Sequence, residues 1–374
     1  MSLSLKLEHG IELDCGVVLP SVQVAYQTYG TLADKKDNVI IICHAMTGDQ
    51  YVASHHPVTG KEGWWSRIVG PGCAIDTERF FVICMNVLGS CMGTTGPASL
   101  NEQTGKIWGT DFPPISIRDM VRVQYAALQQ MGIETVKAVI GGSMGGMQVL
   151  QWAALYPSVV ESAMVVASSP YQSAQNIAFN EVGRQAIIND PNWHQGAYFH
   201  YNTIPEQGLA VARMVAHITY LSEVSLNKKF GRKIRPQSLL NQASRQFRSG
   251  TFLGNIFEVE SYLHYQGSMF IKRFDANAYI TITQAIDRFD LAAEYEGSLV
   301  NAFKGTGIRF CIVSISSDWL YPTAQSRQLV QVLNQVAANV SFVEISSDRG
   351  HDAFLLDVPE FEMVMRGFMN PRLA

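Results

Sequence analysis

One stretch decides the fold of this 374-residue chain: Val139-Ile140-Gly141-Gly142-Ser143-Met144-Gly145-Gly146. Apolar residues typical of a strand run into Gly-x-Ser-x-Gly, and a helical pattern follows from Met147. This order predicts a nucleophile elbow, in which Ser143 is held on a tight turn between strand and helix with its hydroxyl exposed. The glycines have a physical reason, because such a turn brings the two backbones too close for a Cβ. The alternative is a plain strand-to-helix turn that carries an exposed serine.

Strand-like and helix-like segments alternate around this turn. Apolar runs predict strands at residues 17–29, 38–43, 80–85, 135–140 and 161–167. Apolar residues at helical spacing predict helices at residues 116–131 and 147–156. Strands joined through helices in this way predict an α/β fold with a mostly parallel sheet and helices on both faces.

The pattern changes after Ser169. Helix-like segments dominate the next part of the chain, most clearly at residues 174–188, 206–221 and 257–271. Strand character returns at residues 307–314 and 340–346, with helices at 323–336 and after Pro359. We therefore expect a helical lid, residues 173–300, inserted over the carboxyl edge of a sheet. The core on either side would then consist of residues 1–172 and 301–374.

Composition limits the function classes. Hydrophobic residues make up 47% and charged residues 16%, which predicts a folded domain with a substantial core. The net charge of −4 argues against a nucleic-acid binder that works by bulk electrostatics. The nine histidines are scattered, with no His-x-x-x-His pattern, so no metal site is expected. The six cysteines form no Cys-x-x-Cys and read as buried, reduced thiols. Without a signal-peptide core or a bilayer-spanning apolar run, we expect a cytoplasmic protein that binds no membrane.

A serine hydroxyl is a poor nucleophile until a base takes its proton, and the base is usually a histidine held by an acid. In α/β hydrolases these residues follow one another as Ser…Asp/Glu…His. Asp318 follows one late strand and His351 follows the next, so both positions fit. Asp348 and Asp352 compete for the role of the acid, but they share the loop of His351, which is poor geometry for reaching its Nδ1. The other downstream histidines fall in the helical block: His194, His200, His217 and His264.

An oxyanion hole needs two N–H donors near the nucleophile. One is expected from Met144, directly after the serine. The second is expected from the loop that follows an early strand, where Met46 or Ala45 is the candidate. His44 in the same loop is interpreted as a structural histidine that hydrogen-bonds loop backbone.

With these residues in view, the chain resembles the homoserine O-acetyltransferases of the α/β-hydrolase superfamily over nearly its whole length. The resemblance implies an α/β-hydrolase fold with an inserted helical lid. The motifs that carry it are His44–Asp49, Gly63–Trp65, Gly70–Gly72, Asn86–Gly89, Thr95–Pro97, Asp111–Pro113, Ile117–Val121, Gly142–Gln148, Ala212–Met214, His217–Tyr220, Arg273–Asn277 and Gly350–Phe354.

The resemblance implies transfer of an acetyl group, or in some members a succinyl group, from coenzyme A to the hydroxyl of L-homoserine, in methionine biosynthesis. It assigns Ser143 as nucleophile, Asp318 as acid and His351 as base. The homoserine-binding residues of the family fall on Arg213, Tyr220 and Asp352. A forked guanidinium suits the acceptor's carboxylate, and a carboxylate suits its ammonium. The family works with acetyl-CoA as co-substrate and no bound cofactor, and it suggests a homodimer formed through the lid.

Several alternatives stay open at this point. Met46 stands where relatives often have leucine, and Cys43 where many have glycine, so the acyl chain is open and succinyl-CoA is an alternative donor. Serine is a separate alternative as the acceptor. A plain esterase or thioesterase would use the same three residues with water as acceptor, but it would not need Arg213 and Asp352. A non-catalytic binding protein of the same fold would not need an intact set of Ser143, Asp318 and His351.

Overall fold

An eight-stranded sheet forms the centre of the computed structural model, which describes residues 2–234 and 257–370. In chain order the strands are β1 (Leu3–Leu7), β2 (Val22–Tyr29), β3 (Val39–Cys43), β4 (Phe81–Met85), β5 (Ala138–Gly142), β6 (Ser162–Val166), β7 (Arg309–Ile315) and β8 (Asn339–Ile345). Their spatial order is β1-β2-β4-β3-β5-β6-β7-β8. β2 pairs antiparallel with β1 and β4, whereas every neighbouring pair from β4 through β3 to β8 is parallel. The predicted mostly parallel sheet is confirmed.

Helices pack on both faces of this sheet. In chain order they are α1 (Ile117–Gln130), α2 (Met144–Leu155), α3 (Ala174–Ile188), α4 (Tyr198–Tyr201), α5 (Glu206–Tyr220), α6 (Glu223–Lys229), α7 (Glu258–Phe270), α8 (Ala276–Asp287), α9 (Leu299–Phe303), α10 (Thr323–Gln335) and α11 (Pro359–Met369). Short 3-10 turns lie at Gly109–Asp111, Pro191–Gly196, Ala293–Tyr295 and His351–Leu355. Ser116 begins α1 with a capping box, in which its side chain and that of Asp119 bond each other's backbone N–H.

The core consists of two apolar layers, one on each face of the sheet. All five residues of β3 are buried, and successive side chains point to opposite faces. Ile40 and Ile42 therefore join the layer that contains Trp65. Ile41 joins the opposite layer, which contains Trp152. A strand buried on both faces explains why the sequence shows a continuous apolar run here instead of alternation.

Several elements differ from the sequence-based expectation, among them the helix after the elbow and strand β1. The helix after the elbow begins at Met144, not at Met147, because Ser143 itself occupies the position that precedes the helix. Strand β1 was not predicted, since only Leu7 among its five residues is buried. It is held at the sheet edge by its register with β2, in which Leu3 faces Tyr26. A strand held mainly by backbone hydrogen bonds at an exposed edge does not need alternating apolar residues, so its sequence does not predict it.

Helices α3 to α8 lie between β6 and β7 in the chain. Helix α5 packs against α3 and α7, and it also contacts the turn His351–Leu355 that follows β8. Part of the predicted lid, residues 235–256, lies outside the described residues, so the lid bounds of 173–300 and the core segments on either side stay a prediction. None of the helices in residues 2–234 and 257–370 is long and apolar enough to cross a membrane.

Candidate active site

Ser143 occupies a strained turn between β5 and α2. Its backbone has φ 59° and ψ −127°, a conformation that costs free energy for any residue with a Cβ. The surrounding glycines allow the close approach that the turn requires. A Cβ on Gly145 would lie 2.1 Å from the carbonyl oxygen of Cys43, and one on Gly141 would lie 2.4 Å from that of Gly145. The local sequence thus explains the elbow in steric terms.

Ser143 is 9% exposed and lines a narrow cavity of about 40 Å³ beneath the helical block. Residues from both the core and the helical block line the same cavity: Met46, Gln172, Asn176, Tyr220, Leu320 and Tyr321. Ser168 donates a hydrogen bond of 2.7 Å to the Ser143 carbonyl oxygen and so ties the turn to the chain beyond β6. The serine therefore faces a small, largely enclosed space.

Asp318 and His351 form a buried pair on the two neighbouring loops after β7 and β8. His351 Nδ1 lies 2.7 Å from Asp318 Oδ2. The other carboxylate oxygen of Asp318 accepts backbone N–H groups of Leu320 and Tyr321, each at 2.9 Å. Three contacts fix the carboxylate, which in turn holds Nδ1 as the protonated nitrogen of a neutral imidazole and leaves Nε2 as the free base.

The environment of His351 supports a role as a base. Burial lowers the pKa of His351, but the adjacent carboxylate of Asp318 more than offsets this effect, and the pKa is raised above its ordinary value of 6.5. Tyr220 and Tyr321 pack on the ring, with centroids 5.9 Å and 5.3 Å away. Both tyrosines also line the cavity of Ser143. Tyr220 and Tyr321 thus connect the His351 ring to the cavity of Ser143, although no hydrogen bond joins Ser143 and His351 among the described contacts.

The loop after β3 lies against the N-terminus of α2. His44 donates from Nδ1 to the Ala45 carbonyl oxygen at 2.8 Å and accepts the Val87 N–H at Nε2 at 3.0 Å, so its expected structural role is confirmed. Gln148 on α2 donates to the His44 carbonyl oxygen at 3.1 Å. Behind Gln148, a relay through Gln124 reaches the Trp152 indole N–H. The start of the loop is therefore tied to the helix that follows the elbow.

The two predicted oxyanion donors lie close to Ser143 in different ways: Met144 follows it in the chain, and Met46 lines the same cavity. In the part of the chain that the structure describes, the N–H groups of Met46 and Met144 have no hydrogen-bond acceptor. Met46 lines the cavity of Ser143, whereas Ala45 lines a different one. This difference favours Met46 over Ala45 as the second donor.

Arg213, Tyr220 and Asp352 gather beside His351. The guanidinium carbon of Arg213 lies 5.7 Å from the centroid of the Tyr220 ring. Asp352 directly follows His351, and burial raises the pKa of its carboxyl, while the charges of His351 and Arg213 act in the opposite direction. A cation and an acid thus flank one tyrosine, an arrangement that suits the carboxylate and the ammonium of an amino acid.

Two of the competing sequence candidates, Asp348 and His217, have other partners. Asp348 forms an ion pair with the exposed Lys228 instead of His351. His217 bonds the Tyr262 hydroxyl at 3.1 Å, and its pKa is lowered to about 3 by burial and by nearby cations such as Arg213. No group of three or more His, Cys, Asp or Glu residues within residues 2–234 and 257–370 is placed to hold a metal ion.

Sequence reasoning gave no role to Thr47 and Arg273. Both line a larger cavity of about 280 Å³, which Arg213 also lines. Arg213 donates to the Thr47 hydroxyl at 3.0 Å, and Arg273 donates to the Thr47 carbonyl oxygen at 2.9 Å. Thr47 and Arg273 could have been singled out from the sequence because they lie inside two of the long motifs, His44–Asp49 and Arg273–Asn277. The spacing of these motifs did not indicate that they meet in the fold.

Comparison with known proteins agrees with the fold. A family model described as the alpha/beta hydrolase fold matches residues 38–358. A homoserine O-acetyltransferase of Gluconobacter oxydans is 58% identical over 366 residues, which cover 98% of this chain and 92% of that protein. A second one, of Acidiphilium cryptum, is 58% identical over 362 residues, 96% of this chain and 93% of that protein.

Two solved structures are also similar. Homoserine O-acetyltransferase from Bacillus anthracis superposes with a TM-score of 0.88 at 28% identity, covering 99% of this chain and 97% of that one. Esterase E22 superposes with a TM-score of 0.85 at 29% identity, covering 99% of this chain and 100% of that one. The architecture is therefore shared by an acyltransferase and by an esterase.

Proposed function

Because the chain belongs to the homoserine O-acetyltransferase family of α/β hydrolases, we propose that it transfers an acetyl group from acetyl-CoA to the hydroxyl of L-homoserine, in methionine biosynthesis. The reaction would proceed through an acyl-serine intermediate, and the protein would need no bound cofactor. One observation carries the choice of acceptor: Arg213 and Asp352 present opposite charges around Tyr220, whose ring packs on His351. An enzyme that used only water would not need such a clamp.

In the first half of the proposed reaction, Ser143 attacks the thioester carbonyl carbon. His351 takes the hydroxyl proton at Nε2, while Asp318 holds the Nδ1 proton and stabilises the imidazolium that forms. The backbone N–H groups of Met46 and Met144 stabilise the oxyanion of the tetrahedral intermediate. The C–S bond then breaks, His351 returns its proton to the leaving sulfur, and coenzyme A departs from acetyl-Ser143.

In the second half, the hydroxyl of homoserine attacks the acetyl-serine carbonyl carbon. His351 again takes a proton, now from the incoming hydroxyl, and gives it to the Ser143 oxygen when the ester bond breaks. O-acetylhomoserine leaves and the free serine is regenerated. In this scheme Arg213 binds the acceptor's carboxylate, Asp352 binds its ammonium, and the Tyr220 ring lies beside Arg213.

Steady-state kinetics test this scheme. With acetyl-CoA and homoserine varied together, we expect parallel double-reciprocal lines, because coenzyme A leaves before the acceptor reacts. Without acceptor, mixing enzyme with acetyl-CoA should release a burst of coenzyme A equal to the enzyme concentration. Intersecting lines without a burst would instead indicate direct transfer within a ternary complex. Assays that exchange acetyl-CoA for succinyl-CoA, and homoserine for serine, decide between donors and acceptors in the same experiment.

Ester hydrolysis is the second candidate, and the similarity to esterase E22 favours it. The two functions share the proposed acyl-serine step and differ only in what attacks it. Homoserine should raise the steady-state rate of coenzyme A release far above the rate with water alone if transfer is the function. Equal rates with and without homoserine would favour the esterase and would leave Arg213 and Asp352 without a role.

A homodimer formed through the lid, in the cytoplasm, completes the proposal. Apolar side chains on three helices of the predicted lid are about half exposed: Val182 on α3 at 53%, Val211 on α5 at 43% and Tyr265 on α7 at 52%. Exposed apolar groups of this kind often mark an interface. All six cysteines are unpaired, which fits a reducing compartment.

Light scattering after size-exclusion chromatography checks the assembly. We expect twice the mass of a single chain, and a shift toward the monomer when Val182→Lys and Val211→Asp are combined, because charges would then replace apolar contact area. Val58→Asp is the matched control, since Val58 is 54% exposed but lies outside the predicted lid. A monomeric unmodified protein, or equal shifts in the control, would contradict the lid interface.

A further inference from the structure

Two arginines from different parts of the helical block meet at one cavity wall. Arg213 comes from α5, and Arg273 from the segment between α7 and α8. Their guanidinium carbons lie 4.8 Å and 5.3 Å from the centroid of the same ring, that of Phe270. Both donate to Thr47, one to its hydroxyl and the other to its carbonyl oxygen. Thr47 therefore bonds both guanidinium groups at the wall of the cavity of about 280 Å³.

These two charges lack a carboxylate partner. Among the described residues neither guanidinium forms an ion pair, although Arg184, for example, pairs with both Glu181 and Asp287. Burial and the neighbouring Arg213 lower the pKa of Arg273. Asp49 lies near enough to act in the opposite direction, but its carboxylate is already occupied by the Tyr51 N–H and by His56.

Arg213 and Arg273 are both half-buried. An unpaired charge that is partly withdrawn from water costs free energy, and two neighbouring ones of the same sign cost more. A guanidinium carries five N–H donors, and each of these two makes a single hydrogen bond to protein within the described residues. The free donors and the excess positive charge at the cavity match a small anion. Two guanidinium groups beside one ligand can together donate to both oxygens of a carboxylate.

We propose that Arg273 is a second ligand of the acceptor's α-carboxylate and shares it with Arg213. This inference rests on the proposed function, since it takes an amino-acid acceptor for granted. It extends the clamp from one arginine to a pair, with Thr47 setting the separation of the two guanidinium groups. Arg273 is then a binding residue that selects acceptors bearing a carboxylate.

The alternative anion is a phosphate of coenzyme A, and position argues against it. The centroid of the Tyr220 ring lies 5.7 Å from the Arg213 guanidinium carbon and 5.9 Å from the centroid of the His351 ring. The carboxylate of homoserine is a few bonds from its reacting hydroxyl, which matches this short span. The phosphates of coenzyme A lie at the far end of the pantetheine arm, so a phosphate bound here would place the thioester away from Ser143.

Two acceptors that differ only in the carboxylate test the proposal: homoserine and 3-aminopropan-1-ol, which keeps the hydroxyl and the ammonium. For Arg273→Met we expect kcat/KM for homoserine to fall about ten- to a hundredfold, chiefly through KM, as one charge-assisted contact is lost. With 3-aminopropan-1-ol the variant should match the unmodified enzyme. The burst of coenzyme A and the KM for acetyl-CoA should not change. Arg273→Lys, which keeps the charge and a donor for Thr47, should lie in between.

The double variant Arg213→Leu/Arg273→Met is a second test, in which kcat/KM for homoserine is compared with the values of the two single variants. Since both arginines would bind one carboxylate, the double variant should lose less than the product of the two single losses. Lys272→Met is the matched control, because Lys272 is exposed and its one polar side-chain contact among the described residues is with Met269 Sδ, at 3.9 Å. This control should behave like the unmodified enzyme with both acceptors.

Three results would overturn the inference. An equal loss with both acceptors, together with a slower burst, would mean that Arg273 only positions the loop of Met46 through Thr47. A raised KM for acetyl-CoA would assign the pair to a phosphate. An unchanged KM for homoserine would remove Arg273 from the site while leaving the proposed function intact. If the unmodified enzyme does not acetylate homoserine at all, the proposed function fails, and the inference fails with it.

Discussion

Ser143→Ala is expected to abolish the acyl-enzyme and to lower kcat by at least about 10⁴-fold, because the nucleophile, base and acid act as a unit. Alanine cannot form the ester bond, and His351 would then have no hydroxyl proton to take. The loss should exceed that of any change in the clamp, which weakens only acceptor binding. The protein should still fold, since the Ser143 side chain makes no hydrogen bond among the described residues.

Intact-mass measurement after incubation with acetyl-CoA alone is the direct check. The unmodified protein should gain one acetyl group and the alanine variant none. Ser268→Ala is a suitable control, because Ser268 is exposed and its hydroxyl bonds only the carbonyl oxygen of Tyr265 in its own helix. An acetyl adduct that persists in the Ser143 variant would assign the nucleophile to another residue.

Asp318→Asn is expected to lower kcat by about 10³- to 10⁴-fold while leaving the shape of the site nearly unchanged. The remaining oxygen of the amide can still accept the N–H groups of Leu320 and Tyr321. The amide NH2 would then face His351 Nδ1, which must become an acceptor. The imidazole proton moves to Nε2 as a result, and Nε2 can no longer take the proton of Ser143.

The same variant should change the pH dependence of the coenzyme A burst. Burial lowers the pKa of His351 and the charge of Asp318 raises it, with a net increase above 6.5 in the unmodified protein. The base works only when neutral, so the burst rate falls as pH falls through this raised pKa. Removing the carboxylate charge lowers the pKa and should move the acidic limb of the variant's residual activity to lower pH.

Measuring the rate of the coenzyme A burst at pH values on both sides of the His351 pKa tests whether Asp318 is the acid. Asp348→Asn is the matched control, because Asp348 lies in the loop of His351 but pairs with Lys228. We expect the control to keep the rate and the acidic limb of the unmodified enzyme. If the limb moved in the Asp348 variant and stayed in place in the Asp318 variant, the acid would have to be reassigned.

The parallel part of the fold was readable from local patterns. Strands buried on both faces, such as β3, appear as short apolar runs, and amphipathic helices such as α1 show apolar residues at helical spacing. The apolar pattern did not predict strand β1, because the position of this strand depends on backbone pairing with β2 at an exposed edge. The start of α2 was misplaced for a related reason: Gly145 and Gly146 are poor helix formers, and only the close approach to β3 and to Ser168 explains them.

The partners proposed for Ser143 depend on a simple rule of parallel sheets. The carboxyl ends of neighbouring parallel strands share one edge, and β7 and β8 are paired up to Ile315 and Ile345. Loops that follow them are therefore adjacent, so Asp318 and His351 were reasonable candidates from the sequence. The competition from Asp348 could not be settled in that way, because residue order does not say which carboxylate turns toward the ring.

By itself, the sequence determined the features that are encoded in contiguous residues: the elbow around Ser143, the alternation of strands and helices, and the long motifs that carry the family resemblance. Only the tertiary structure decided how those motifs meet. Thr47 lies 166 residues from Arg213 and 226 from Arg273, yet it contacts both. Such contacts arise when the helical block packs onto the loop after β3, and this packing depends on the shapes of whole surfaces. The spacing of residues along the chain does not encode this packing. The position of Arg273 beside Arg213 therefore followed only from the tertiary structure.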